Sequence, residues 1–118
     1  MRRLTPQRKL GNVREDSAGE LAVGVNEVLG GKREEVLRVA ARHGARNVRV
    51  FGSVARGEAG PASDVDFLVE TGPAPSSWFP AGLLVDLEDL LGRRVHVLTE
   101  RALHPRLKSR VLREAVPL

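Results

Sequence analysis

Residues 48–69 read VRVFGSVARGEAGPASDVDFLV. Val48 and Val50 alternate with Arg49 and Phe51 and stop at Gly52-Ser53, which reads as a strand running into a tight turn. Ten residues later Val65, Phe67 and Val69 alternate with Asp64, Asp66 and Leu68, which reads as a second strand. A period of two places Asp64 and Asp66 on the same face of that strand. Two carboxylates at neighbouring same-face positions repel each other unless a cation sits between them. Hard oxygen ligands suit Mg²⁺ or Mn²⁺, commonly shared with substrate phosphates. The turn supplies the complement. Gly52 has no Cβ to keep a ligand away from the backbone. Ser53 offers a hydroxyl to a phosphate and is expected to cap the short helix that follows. Arg56 lies in the same loop, and Ser63 is expected to make a turn hydrogen bond that orients Asp64.

The joined pattern, GSVARGEAGPASDVDFLVE from Gly52 to Glu70, resembles the signature of the minimal nucleotidyltransferase domains of the DNA polymerase β-like superfamily. The resemblance runs from about Lys32 to Leu118. It implies an α/β (α+β) fold, a small mixed β-sheet with helices packed on one side and the Asp-bearing strand lying centrally. It implies a domain over residues 32–118, preceded by an extension over 1–31 that is helical or flexible. By the same resemblance Gly52 and Ser53 hold the β- and γ-phosphates of ATP, and Ser63 is counted with them as a nucleotide-binding residue. Asp64 and Asp66 hold the metals, and Arg56 either neutralises phosphate charge or only pairs with Glu58 or Glu70.

In that superfamily a third carboxylate stands on the following strand, at the position His96 takes here. Neutral imidazole is a poorer ligand for Mg²⁺ than a carboxylate, though it suits Mn²⁺ or Zn²⁺. It also titrates near neutrality and could act as a general base. His96 is therefore a substitute base or ligand, a histidine without chemistry, or a sign that the strand register differs.

Composition bounds the rest. The chain has 118 residues, which is one domain by default, and 42% hydrophobic content with only 3% aromatics, so the core is built from Leu, Val and Ala. The absence of cysteine excludes a disulfide framework and a thiolate zinc site. No apolar run has membrane-spanning length and no secretory apolar region opens the chain, so a cytoplasmic location is expected. The net charge of +4, from 19 Lys+Arg against 15 Asp+Glu, is mildly basic. Nucleic acid is not expected as the partner, because stacking aromatics are scarce. A basic arm at Arg2, Arg3, Arg8 and Lys9 touching RNA is the alternative.

Outward from the central stretch, Asp16 to Leu29 reads as a helix closed by Gly30-Gly31. Lys32 to His43 reads as another, with Val36, Leu37, Ala40 and Ala41 inward. Leu83, Leu84, Leu87, Leu90 and Leu91 recur at helical spacing up to Gly92. Trp78 and Phe79 staple the entry to that helix or pack on a partner. Arg93 to Leu98 reads as a third strand. Pro105 opens a last helix with Leu107, Val111, Leu112 and Ala115 inward and a basic stripe of Arg106, Arg110 and Arg113 outward. Asp86 and Glu88 are expected in solvent, and His43 and His104 as caps or surface residues.

The activity implied by the resemblance is transfer of AMP from ATP to a hydroxyl. Stand-alone domains of this size resemble the antitoxin of two-gene systems whose toxin is a HEPN-domain ribonuclease. The chain has no tyrosine, so a tyrosine acceptor would lie on another protein. A homo-oligomer is also open. The competing expectation is a binding module on the same fold, impaired by His96 and acting by masking its partner.

Overall fold

The computed structural model describes residues 24–73 and 79–118. In chain order these form helix α1 (Val25–Leu29), helix α2 (Arg33–Arg42), strand β1 (Ala45–Phe51), the one-turn helix α3 (Gly52–Ala55) and strand β2 (Val65–Thr71). Helix α4 (Ala81–Leu91), strand β3 (Val95–Thr99), a 3₁₀ turn (Glu100–Ala102), helix α5 (Pro105–Glu114) and strand β4 (Val116–Pro117) follow. Trp78 and most of the Asp16–Leu29 helix expectation lie outside the described residues. Within them, Val25–Leu29 is helical and ends at Gly30, as read.

The sheet order is β3-β2-β1-β4. β2 runs antiparallel to β1 and parallel to β3, and β4 closes antiparallel on the far side of β1. The sheet is therefore mixed, with the Asp-bearing strand inside it. The parallel pair needs a crossover, and α4 supplies it. β4 was absent from the sequence reading, because two residues carry no periodicity to read.

Strand alternation sorts the core. Val48 and Val50 of β1, Val65, Phe67 and Val69 of β2, and Val95 and Val97 of β3 pack with Val36, Val39 and Ala40 of α2 and Leu83 and Leu87 of α4. Ten of these twelve side chains have less than 6% of their surface exposed, and burying each valine, leucine or phenylalanine among them stabilises the fold by about 1.5–3 kcal/mol. α1 joins the same core through Leu29, with Val25 and Val28 against it. Gly92, at φ 67°, ends α4 in the left-handed conformation that glycine takes without strain.

The opposite phase of the strands forms a second, smaller cluster, in which Phe51 and Leu68 pack with Leu103 and Val111. This corrects the reading of α5. Val111 is buried, but Leu107 and Leu112 are 45% and 39% exposed. The helix has too little sheet beneath it to cover a full apolar stripe. His104 caps α5 as expected, its Nδ1 accepting from the Arg106 amide at 3.1 Å. His43 stands at the C-cap of α2, as one of its two readings had it, and pairs with Asp86 of α4 at 2.7 Å, so Asp86 is not simply solvated. Glu88 likewise turns inward and accepts from the Val95 amide at 3.0 Å.

Candidate active site

The site lies on the polar phase of the strands, where β1 ends and β2 begins. Gly52 turns the chain out of β1 at φ 76°. A Cβ there would collide with the Asp66 carboxylate. Both constraints demand glycine, for backbone conformation and for space. The turn and the aspartate are thus in direct contact, although the sequence separates them.

Asp64 stands just ahead of β2 and Asp66 is its second residue, one strand period apart. The parallel register sets Asp66 opposite His96. The imidazole lies between the two carboxylates, with Nε2 3.2 Å from Asp64 Oδ2 and Nδ1 3.1 Å from Asp66 Oδ1. Nδ1 is hydrogen-bonded to Asp66, and Nε2 makes the close contact to Asp64. His96 is thus part of the constellation, and the strand register is the one read from the sequence.

Burial pushes the Asp66 carboxyl above its ordinary value, and Asp64 adds to this, while the charge and hydrogen bond of His96 and the charge of Arg56 oppose it. Asp64 Oδ1 is buried without a hydrogen bond. Arg94 Nε lies 3.2 Å from it, near enough for Coulombic attraction but misaligned as a donor.

These carboxylates fit a hard divalent cation in chemistry. Both are oxygen ligands on one face, and one carries a buried oxygen with no hydrogen-bond donor. A third acidic ligand is missing from the set. Among the described residues no three His, Asp or Glu side chains form a ready-made metal cage.

The phosphate side of the site differs in detail from its sequence reading. Ser53 does not cap α3. The cap position falls on Phe51, no side chain caps the helix, and Ser53 sits one residue inside the turn made by Gly52. Its hydroxyl is therefore not committed to a capping bond. Ser63 makes a turn bond, its Oγ accepting from the Gly60 amide at 2.8 Å, but the bond holds its own loop and does not reach Asp64. Arg93 fastens the same loop from Nη1 to the carbonyls of Gly60 and Ser63 at 3.1 and 3.3 Å.

Arg56 pairs with Glu58 at 3.0 Å as one alternative had it, but its second partner is Glu114 at 3.0 Å, not Glu70. The hydrogen bonds it donates, to Glu58 first and then to Glu114, hold its guanidinium above the ordinary arginine value. Glu70 instead meets Arg46 and Asn47 at the other end of the sheet.

Two residues escaped the sequence reading. Arg94 could have been found, because it lies two positions from His96 and shares its phase. Glu114 could not, because it is 62 residues from Gly52 and no local pattern links them.

A phosphate-suited turn abutting paired carboxylates on a small mixed sheet defines a nucleotide-handling α/β domain. The family described as "Nucleotidyltransferase domain" matches residues 33–118, and the chain belongs to it. A Methanocaldococcus jannaschii protein named as a candidate protein adenylyltransferase is 39% identical over 92 residues, 78% of this chain and 95% of that one. A solved structure described as a candidate minimal nucleotidyltransferase superposes with a TM-score of 0.70 at 54% identity, covering 78% of this chain and 94% of the other. A toxin–antitoxin structure with AMP-PNP shares the fold, with a TM-score of 0.61 at 17% identity over 71% of this chain and 69% of that one.

Proposed function

We propose that this chain transfers AMP from ATP to a hydroxyl group on a partner protein, and serves as the antitoxin of a toxin–antitoxin pair with a HEPN-type ribonuclease. The observation that carries the proposal is the contact of the Gly52 turn with the Asp66 carboxylate beside Asp64. On this reading a phosphate at the turn and a divalent cation at the aspartates would lie within one substrate's length. The candidate adenylyltransferase relative supports the reaction type, and the toxin–antitoxin likeness suggests the setting.

Asp64 and Asp66 would hold Mg²⁺ or Mn²⁺, which when bound offsets charge on the phosphate oxygens. The Gly52-Ser53 turn, Arg56 and Ser63 would receive the β- and γ-phosphates on this reading, with Arg56 supplying the positive charge. The acceptor oxygen attacks the α-phosphorus, the bond from that phosphorus to pyrophosphate breaks, and AMP remains esterified to the acceptor. The acceptor proton must leave, and the imidazole of His96 would be the group to take it on this reading.

Label transfer from α-labelled ATP, with Mg²⁺ or Mn²⁺ and any co-purifying partner, tests this reading. Label is expected on the partner and is expected to vanish in Asp64→Asn/Asp66→Asn. A second reading is favoured by one observation, the imidazole filling the gap between the carboxylates. There the chain binds nucleotide or partner without transfer, and the assay gives nucleotide binding but no label.

A further inference from the structure

Glu114 is the last residue of α5, and its side chain is only 15% exposed. Both of its carboxylate oxygens face the phosphate side of the site. Oε2 accepts from the Gly52 amide at 2.8 Å, and Oε1 accepts from Arg56 Nη1 at 3.0 Å. We propose that Glu114 is a positioning residue that fixes the Gly52 turn and the Arg56 guanidinium in the pose that receives the triphosphate. The inference rests on the nucleotidyltransferase reading and adds to it a residue from the far end of the chain.

Three observations carry it. First, Glu114 is anchored from both sides. The Ala115 amide bonds back to Val111 in α5, and Val116 and Pro117 pair with Val50 and Arg49 of β1. The Leu118 amide continues that pairing to the Val48 carbonyl at 2.9 Å. A carboxylate on so braced a backbone holds its partners still. One on a swinging arm would merely fill the site until substrate arrived.

Second, the two bonds act on the two elements that matter. The Gly52 peptide carries the left-handed turn that clears Asp66. Arg56 is built onto the same turn, its amide bonding back to the Gly52 carbonyl at 3.1 Å. Third, the arginine is clamped without being consumed. Nε goes to Glu58 and Nη1 to Glu114. Nη2 makes no hydrogen bond among the described residues, which leaves the planar fork one free end for a phosphate oxygen.

The test is a double-mutant cycle on the full chain, read by the Kd for ATP and for inorganic tripolyphosphate and by the kcat and KM of transfer. Glu114→Ala is expected to weaken both ligands about tenfold, the scale of a lost charge-assisted hydrogen bond, and to raise KM with a smaller change in kcat. In an Arg56→Ala background the same substitution is expected to weaken binding clearly less than in the wild type, because the part of its effect that runs through the arginine is gone and only the part that runs through the Gly52 turn remains.

Glu114→Gln keeps one acceptor and the side-chain volume, and is expected to fall between. It serves if the alanine variant does not fold. Tighter binding in Glu114→Ala would overturn the proposal, since the carboxylate would then be a competitor of phosphate. Equal losses in both backgrounds would overturn it too, since Glu114 would act independently of Arg56. A wild type that binds neither nucleotide nor tripolyphosphate would sink the nucleotidyltransferase reading and this inference together. The first two outcomes sink the inference alone.

Discussion

At the scale of single residues, Gly52, Asp66 and His96 each have a role set by their immediate neighbours. Alanine at residue 52 meets a positive φ and the Asp66 carboxylate at once. We expect Gly52→Ala to cost about 2 kcal/mol or more in thermal or urea denaturation, with loss of nucleotide binding beyond that. Asp66 shows the opposite balance. Because burial raises its carboxyl above the ordinary value, the folded state holds this proton more tightly than the unfolded state does. Its stabilising contribution is full below the ordinary carboxylate range and is lost as pH rises through the raised folded value. Asp66→Asn mimics the neutral form, so it is expected to melt above the wild type at neutral pH, with the gap closing in acid. Added Mg²⁺ is expected to raise the wild-type melting temperature and leave this variant unmoved. His96→Asp puts a third carboxylate where the imidazole now separates two. That variant is expected to melt lower in chelator, to recover with Mg²⁺, and to transfer label about tenfold or more faster than wild type. Unchanged transfer in an already active protein would discard the notion of an impaired site.

At the scale of elements, the two faces of the sheet obey different rules. The valine-rich phase is closed by α2 and α4 and was readable in the sequence, because alternation on strands and helical spacing on Leu83 and Leu87 agree. The other phase is mixed. Phe51 and Leu68 are covered by the end of α5, while Asp66 and His96 are left to the site. Here the helical pattern misled, since Leu107 and Leu112 keep the spacing of a buried stripe without being buried. Leu107→Gln and Leu112→Gln are therefore expected to change stability by less than about 0.5 kcal/mol. Val111→Ala should cost about 2 kcal/mol. Arg49 is the exception within β1. It is buried, pairs with Glu100 at 3.1 Å, and keeps its Nη2 without a partner. Glu100→Ala would strand that guanidinium and is expected to cost about 2 kcal/mol, discounted because Glu100 itself is partly exposed. The exposed Arg46–Glu70 pair at 3.7 Å should be worth less than 1 kcal/mol when Arg46 is replaced by alanine. Denaturant titrations of the two variants side by side check the contrast.

At the scale of the whole molecule, the sequence was readable where function is built from neighbours in the chain. The turn at Gly52, the pair Asp64 and Asp66, and the placement of His96 on the next strand all follow from local periodicity and one register. What stayed hidden was long-range. Glu114 reaches Gly52 from the end of α5, β4 closes beside β1, and Arg49 finds Glu100 across the sheet. None of these leaves a mark on its own stretch of sequence, because the partner that gives it meaning is supplied by the fold. Among the described residues no helix is long and apolar enough to cross a membrane.

The parallel pairing of β2 with β3 bears on the time at which this molecule becomes competent. Asp66 and His96 meet only after the crossover through α4 has been completed, and the entropy of closing that loop must be met before the contact returns anything. The β1–β2 hairpin, which already holds Gly52 against Asp66, is the more local unit. In a refolding experiment, helical signal should recover early, and the pairing of His96 with the aspartates should come with the slowest phase of chain folding. A newly made chain would then pass through a stage that has its turn and its carboxylates but not yet its third group.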